Sequence, residues 1–335
     1  MGAADDKVTP LIIGHEWAVE LLQRGLESGR LSHAYLFAGS PHVGKTSLAL
    51  YLARALNCLD PEIRPCGSCG ACRKIGSGLH PDVRVIDEPG SSLKIDQIRL
   101  LQKEMSLAPF EGRWRVYVLC DFQQATLEAA NCLLKTLEEP PPKVVLILTA
   151  TQVGLLLPTI VSRCQVFNLR PLPVAQVQKA LQVHWAMEPR EANLVASLSE
   201  GRVGWAIESR NDDTLLLNRE KCFVALEQVL RQERTGRMKL AEQLSQNRSL
   251  LLDVFDLWQS WWRDLLLTKS GNVHALTNID RKQTVINEAK RFTCNEILFS
   301  LRSIRDAAQQ VEQNVNPRLA LDVLFLKMPY PTEEG

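Results

Sequence analysis

The chain has 335 residues, of which 45% are hydrophobic, so it is long enough for two or three domains with buried cores. Its 39 basic and 38 acidic side chains leave a formal net charge of +1, which excludes an overall field that would favour nucleic acid or an anionic membrane. No apolar run reaches the roughly 18 residues that span a bilayer, and the first residues do not resemble a secretory signal. We therefore expect a cytoplasmic protein.

A glycine-bounded loop follows the first predicted helix (14–29) and the first predicted strand (35–38). Residues 39–46 fit the pattern GxxxxGK[ST] between a strand and a helix, which is the context that phosphate binding requires. The pattern predicts that Lys45 binds the phosphates of ATP or ADP and that the Thr46 hydroxyl ligates Mg²⁺. The predicted nucleotide-binding residues of this loop are Gly39, Gly44, Lys45, Thr46 and Ser47.

Four cysteines lie in one short loop, residues 58–72, directly after the predicted phosphate-loop helix. Four thiolates at this spacing suit a closed tetrahedral zinc site, which leaves no open position for catalysis and is therefore structural. An iron–sulfur cluster is the alternative. The predicted ligands are Cys58, Cys66, Cys69 and Cys72, and the other five cysteines are interpreted as packed thiols: Cys120, Cys132, Cys164, Cys222 and Cys294.

Short β-branched segments alternate with helical patterns up to about residue 170, which predicts a five-stranded parallel sheet in a nucleotide-binding domain, residues 1–170. The later strands are predicted at 83–86, 116–120, 144–149 and 166–169, with helices at 94–106 and 124–138 between them. Strand signals then stop. A small helical domain is predicted over 171–210 and an all-helical domain over 211–335, with helix breaks at Gly236, Gly271 and 314–317.

The other half of a hydrolytic site should follow an apolar strand, as an acid that holds Mg²⁺ and then a glutamate that positions water. The strand at 116–120 ends in Asp121, which we assign to Mg²⁺, but the next residue is Phe122. The expected base is absent. Further on, the spacing of Trp258, Trp261 and Trp262 predicts a packed helix core, with a helix interface to other subunits as the alternative.

Several motifs together resemble bacterial clamp-loader ATPases of the AAA+ class. They are 33–37, 39–46, the cysteine loop, His80–Asp82, Asn131–Pro141, Ser162–Cys164 and, near the end of the chain, Asn314–Leu321. The resemblance implies an α/β AAA+ domain with a five-stranded parallel sheet, then a small helical lid domain (171–210) and an all-α collar domain for oligomerisation (211–335).

The resemblance also implies roles for three further residues. Arg163 is similar to the arginine finger that such subunits present to the γ-phosphate of an adjacent subunit, whereas its spacing alone favours a surface salt bridge. Thr151, or else Thr149, corresponds to the sensor-1 residue. Gly204 stands where hydrolysing subunits carry the sensor-2 arginine. Without that arginine and the glutamate, we expect poor ATP hydrolysis.

The implied function is that of the stator subunit in a heteropentamer that serves DNA polymerase III. Its partners would be motor subunits (gamma or tau) and a delta subunit, and the complex would place a sliding clamp on primer-template DNA during replication, within the bacterial cytoplasm at the nucleoid. Two alternatives remain: an active gamma- or tau-type motor ATPase and, more remotely, a P-loop small-molecule kinase.

Overall fold

The computed structural model of the protein describes residues 12–87, 92–211, 214–313 and 315–329. The chain forms two compact units, of which the first runs to Leu172 and includes Arg202–Gly204, while the second holds Pro173–Gly201 and the residues from Trp205 onward. The division into three domains at 170 and 210 stays a prediction. No helix within the described ranges is long and apolar enough to cross a membrane.

The first unit alternates strands and helices as predicted. Its elements are α1 (Glu16–Glu27), β1 (Ala34–Ala38), α2 (Lys45–Asn57), α3 (Gly70–Gly76), β2 (Val83–Ile86), α4 (Ile95–Met105), β3 (Arg115–Leu119), α5 (Leu127–Glu138), β4 (Val144–Ala150), α6 (Pro158–Val161) and β5 (Gln165–Asn168). Helix α3 was not predicted. It is only seven residues long, and the sulfur of Cys69 caps it by accepting the N–H of Cys72.

The five strands form one parallel sheet in the order β2-β3-β4-β1-β5, so the predicted sheet is confirmed. Side chains of β3 alternate between its two faces, as the pleat of a strand requires. Val116 and Val118 join the core formed with α2, whereas Tyr117 and Leu119 join the core formed with α4 and α5. Because β1 lies between β4 and β5, the phosphate loop leaves the sheet among its central strands.

The second unit is helical in the described residues. Its elements are α7 (Val174–Trp185), α8 (Pro189–Leu198), α9 (Val203–Asn211, whose first two residues belong to the first unit), α10 (Thr214–Arg231), α11 (Arg234–Ser245), α12 (Arg248–Lys269), α13 (Lys282–Lys290), α14 (Cys294–Glu312) and α15 (Pro317–Lys327). Trp258 and Trp262 are fully buried in its core, and Trp261 is 4% exposed, so the packing prediction is confirmed.

The predicted helix breaks have different outcomes. The break at Gly236 is wrong, because this glycine lies inside α11, where one glycine costs only about 1 kcal/mol relative to alanine. The break at Gly271 is confirmed, since α12 ends at Lys269 and Gly271 has a φ of 80°. Asn314 lies outside the described residues. Helix α15 begins at Pro317, with the Asn316 side chain accepting the N–H of Arg318.

Candidate functional site

The phosphate loop connects β1 to the N-terminus of α2, and its two pattern glycines meet different steric demands. A Cβ on Gly39 would lie 2.4 Å from the carbonyl oxygen of Leu169, so only glycine fits there. Gly44 caps α2 with a φ of 107°, a conformation that side chains with a Cβ rarely adopt. The first N–H groups of α2 have no partner within the helix and can face an anion. The loop therefore fits nucleotide phosphates.

Side chains within the loop and next to it bind the carbonyl groups of the loop. The Lys45 ammonium donates to the carbonyl oxygens of Gly39 at 2.7 Å and Ser40 at 3.0 Å. His15, which is 3% exposed, places Nε2 at 2.9 Å from the carbonyl oxygen of Val43. Burial lowers the pKa of Lys45, and the nearby Asp121 carboxylate opposes that shift. The loop is thus held in shape before any phosphate enters, and Lys45 has to exchange carbonyl partners for phosphate oxygens.

The segment Arg202–Gly204 also bonds to the loop. The N–H of Gly204 donates to the carbonyl oxygen of His42 at 2.8 Å, and His42 itself has a φ of 59°. A Cβ on Gly204 would lie 2.7 Å from that oxygen and 3.2 Å from the His42 Cα. Both atoms belong to the backbone and cannot rotate away. The absence of a side chain at position 204 is therefore required by this contact.

The strand β3 brings Cys120 and Asp121 to the same edge of the sheet as the loop. The Cys120 thiol lies against the hydroxyl of Thr46, and burial raises the pKa of this thiol to about 11. Asp121 adopts a φ of 44°, and its N–H donates to the Thr149 hydroxyl at 2.9 Å. The sequence reasoning interpreted Cys120 as a packed thiol. The alternation of β3, which places position 120 on the face that carries α2, was the signal that could have identified it as a site residue.

Phe122 does not contribute chemistry to the site. Its side chain is 2% exposed and belongs to the core formed with α4 and α5. Thr46 and Ser47 are exposed on the first turn of α2. The phosphate loop and the first turn of α2, together called the cradle, thus contain the predicted phosphate-binding groups. The residue directly after Asp121 is not a carboxylate that could position water.

The two sensor-1 candidates differ in how their hydroxyls are used. Strand β4 meets the phosphate loop through the N–H of Gly39, which donates to the carbonyl oxygen of Ala150 at 3.0 Å. Thr149 is 1% exposed, and its hydroxyl oxygen accepts a hydrogen bond from the N–H of Asp121. The Thr151 hydroxyl is buried without a hydrogen-bond partner among the described groups. A buried hydroxyl without a partner is costly, which favours Thr151 as the group that meets a ligand.

Arg163 lies away from the phosphate loop of its own chain. It stands two residues before β5, at the amino edge of the sheet, whereas the loop leaves the carboxyl edge of the parallel neighbour β1. Its guanidinium donates to Glu138 at 2.6 Å and to the carbonyl oxygen of Thr159 at 3.0 Å. The side chains of Arg163 and Glu138 are 35% and 52% exposed. Such surface pairs contribute only about 0–1 kcal/mol, so this arginine is readily released.

The four predicted metal ligands come together beyond the C-terminus of α2. Their sulfur atoms all lie within 4.8 Å of one another, and Zn–S bonds of about 2.3 Å in a tetrahedron need sulfurs about 3.8 Å apart. Three backbone N–H groups point at these sulfurs, each at 3.4 Å. Although burial opposes it, N–H donors from Cys69 and Ser68 lower the pKa of Cys66 to about 6. The donor set and its geometry fit zinc.

The sites occupy different parts of the first unit. The phosphate loop, Asp121 and Thr151 converge at the carboxyl edge of the central strands. The cysteine cluster begins where α2 ends, and a helix of 13 residues places it about 18 Å along the axis from Lys45. Such a separation keeps the metal away from bound phosphates, which agrees with a structural metal.

Comparison with known proteins relates the chain to subunits of one replication enzyme. The sequence family described as "DNA polymerase III, delta subunit" matches residues 14–173. Subunit delta′ of DNA polymerase III from Bacillus subtilis is 32% identical over 317 residues, which are 92% of this chain and 94% of that protein. Subunit tau from Escherichia coli is 40% identical over 196 residues, but these are 57% of this chain and 30% of tau.

A gamma-subunit-related protein of DNA polymerase III from Thermotoga maritima is a looser structural match. It is 19% identical, with a TM-score of 0.43 over 92% of this chain and 97% of that one. The match to delta′ carries the assignment, because it runs through both units and nearly the whole length of both proteins. The chain belongs to the delta′ family of DNA polymerase III clamp-loader subunits.

Proposed function

We propose that this chain is the stator of a clamp loader and contributes Arg163 to the ATP site of a neighbouring subunit. The observation that carries the proposal is the position of Arg163, partly exposed at the sheet edge opposite the phosphate loop of its own chain. An arginine there cannot reach its own phosphates. In a neighbouring site, a guanidinium would neutralise the charge that develops on the transferred phosphoryl group.

The chain's own phosphate loop binds ATP or ADP in this proposal but hydrolyses ATP poorly. Lys45 and the N–H groups of the loop hold the phosphates, the Thr46 hydroxyl lies at the Mg²⁺ position, and the Thr151 hydroxyl faces the terminal phosphate, while Asp121 contributes its charge beside Lys45. Two groups that support ATP hydrolysis are missing. Position 122 holds a phenylalanine, buried in the core, instead of a glutamate, and Gly204 has no room for the arginine of hydrolysing subunits. Each such group typically contributes a hundredfold or more in rate, so their loss outweighs an intact cradle.

The cysteine cluster holds a structural zinc ion in this proposal. All four ligands come from one short stretch of chain, residues 58–72, and the sulfurs close around the site. Zinc bound in this way supplies folding free energy to its loop rather than chemistry. We assign the ligands to Cys58, Cys66, Cys69 and Cys72.

The proposed partners are the gamma or tau motor subunits and the delta subunit, in a heteropentamer that loads the sliding clamp on primer-template DNA. The family assignment supports this, as does the resemblance of both units to delta′ over their length. The formal charge of +1 gives the chain no strong attraction for DNA by itself, so DNA binding is assigned to the assembled loader. The complex would work at the bacterial nucleoid.

An active motor subunit is the second candidate, because tau is 40% identical to this chain over the shared 196 residues and the phosphate loop is intact. ATP turnover distinguishes the two functions. The purified chain and the reconstituted loader are assayed with the wild type and with Lys45→Ala. A stator gives negligible turnover alone, and Lys45→Ala leaves the turnover of the complex nearly unchanged. Substantial turnover by the isolated wild type, abolished by Lys45→Ala, would establish the motor instead.

A further inference from the structure

Cys120 continues the β3 strand by one residue, although the strand formally ends at Leu119. Its N–H donates to the carbonyl oxygen of Ile86 at 2.9 Å, which extends the parallel ladder with β2. The alternation of β3 therefore still applies at position 120. Like Val116 and Val118, Cys120 faces the side of the sheet that carries α2.

That orientation brings the thiol to the first turn of α2. It lies against the Thr46 hydroxyl, which is the group that ligates Mg²⁺ in phosphate loops of this pattern. In such sites the second protein ligand is a carboxylate at the end of another strand of the sheet, so that both ligands face one metal ion. The residue of β3 that faces Thr46 is a cysteine.

Asp121 does not occupy a position equivalent to that of Cys120 beside the Thr46 hydroxyl. The chain leaves the strand at this residue, with a φ of 44°, and its N–H is bonded to the Thr149 hydroxyl. One of its carboxylate oxygens accepts the Gln123 amide at 3.4 Å. Its charge acts on Lys45, so it contributes to the electrostatics of the cradle. It stands one residue beyond the position that faces the Thr46 hydroxyl.

We propose that Cys120 determines the metal preference of this cradle and makes its nucleotide binding nearly independent of Mg²⁺. A thiol is a poor ligand for Mg²⁺, which takes hard oxygen donors in near-ideal octahedral geometry. The phosphates of a nucleoside diphosphate or triphosphate are then held by Lys45 and by the N–H groups of the loop. The inference rests on the proposed nucleotide binding and assigns Cys120, rather than Asp121, to the metal-facing position. The missing carboxylate at position 120 then replaces the missing glutamate at position 122 as a cause of poor hydrolysis.

A binding measurement tests the inference without relying on catalysis. ATP is titrated by calorimetry into the full-length chain in Mg²⁺ and in EDTA, for the wild type, Cys120→Asp and Cys120→Asn. The wild type should bind ATP with dissociation constants that differ by less than about threefold between the two conditions. Cys120→Asp should bind about tenfold more tightly in Mg²⁺ than in EDTA, in the range that supporting groups of a metal site typically contribute. Cys120→Asn, which has the same shape but no charge, should behave like the wild type.

Asp121→Asn distinguishes the proposed role of Cys120 from the alternative that Asp121 is the Mg²⁺ ligand. If the wild type binds ATP about tenfold more tightly in Mg²⁺ and Asp121→Asn removes that gain, Asp121 is the metal ligand and the inference is overturned. A Cys120→Asp protein that folds, by its circular dichroism, and gains no Mg²⁺ dependence overturns it as well. If no variant binds ATP in either condition, the phosphate loop does not bind nucleotide, and the nucleotide-binding part of the proposed function is contradicted.

Discussion

Replacing Gly204 with alanine tests whether the segment at 202–204 is fixed on the phosphate loop. The added Cβ would lie 2.7 Å from the His42 carbonyl oxygen and within 3.3 Å of two further backbone atoms of His42. Neither side can adjust by a rotamer change. The segment has to move away from the loop, and the hydrogen bond from the Gly204 N–H to that oxygen is lost.

Two opposing effects decide the sign of the stability change. Gly204 lies in the first turn of α9, where alanine is favoured over glycine by up to about 1 kcal/mol. Against this stand about 1 kcal/mol for the lost hydrogen bond and about 1–3 kcal/mol for the steric overlap. The net expectation is a destabilisation of about 1–3 kcal/mol, which lowers the melting temperature of a unit of this size by roughly 2–12 °C.

Thermal unfolding of the full-length chain provides the assay, and Gly154→Ala provides the control, because a Cβ on Gly154 meets nothing within 4 Å. The control should melt at the wild-type temperature or slightly above it. A Gly204→Ala protein that is as stable as the control would show that the segment at 202–204 is not fixed on the phosphate loop. For the same steric cause, Gly204→Arg should not raise ATP turnover, although it restores the residue type of the hydrolysing subunits.

Two further predictions concern parts of the first unit that lie outside the phosphate loop. The purified chain should contain one zinc ion, and Cys66→Ser should lose it and melt at a lower temperature, whereas Cys294→Ser, at an exposed position, should change neither property. Zinc retained in full by Cys66→Ser would contradict the assigned ligands. Asp82 accepts three backbone N–H groups from residues 110–112, which lower its pKa against the opposing effect of burial. Its stabilisation is therefore present above the unfolded carboxyl pKa of about 3.9 and is lost as the pH falls through the lower folded value. Asp82→Asn should cost about 1.5–3 kcal/mol at pH 7 and show a flatter stability profile in acid; an unchanged profile would remove this role.

Much of the first unit follows from local sequence patterns. The five strands are short β-branched segments, and helical patterns separate them, which is enough to predict a parallel sheet. Helix α3 could not be predicted in this way, because it is short, begins at a glycine and is capped by the sulfur of Cys69. The continuation of α11 through Gly236 shows the opposite error, because packing overrides the modest cost of one glycine.

In the candidate site, too, some features could be predicted from the sequence and others could not. The phosphate loop and the cysteine cluster were predictable, since each depends on residues that are close in the sequence. The bond from Gly204 to His42 was not, because it joins positions 162 residues apart and involves only backbone atoms. Cys120 is an intermediate case. The alternation of β3 places it on the α2 face, but a cysteine in an apolar strand suggests packing until Thr46 is seen beside it.

The proposed action of Arg163 on a neighbouring subunit is tested by the ATP turnover of the reconstituted clamp loader. Arg163→Ala is compared with wild type and with Arg24→Ala, which removes a more exposed arginine that also forms an ion pair. Turnover at the neighbouring site should fall by about 10³-fold, the lower range for arginine fingers, while assembly and the Arg24→Ala control stay at wild-type levels. Wild-type turnover and clamp loading by an assembled Arg163→Ala complex would contradict the account.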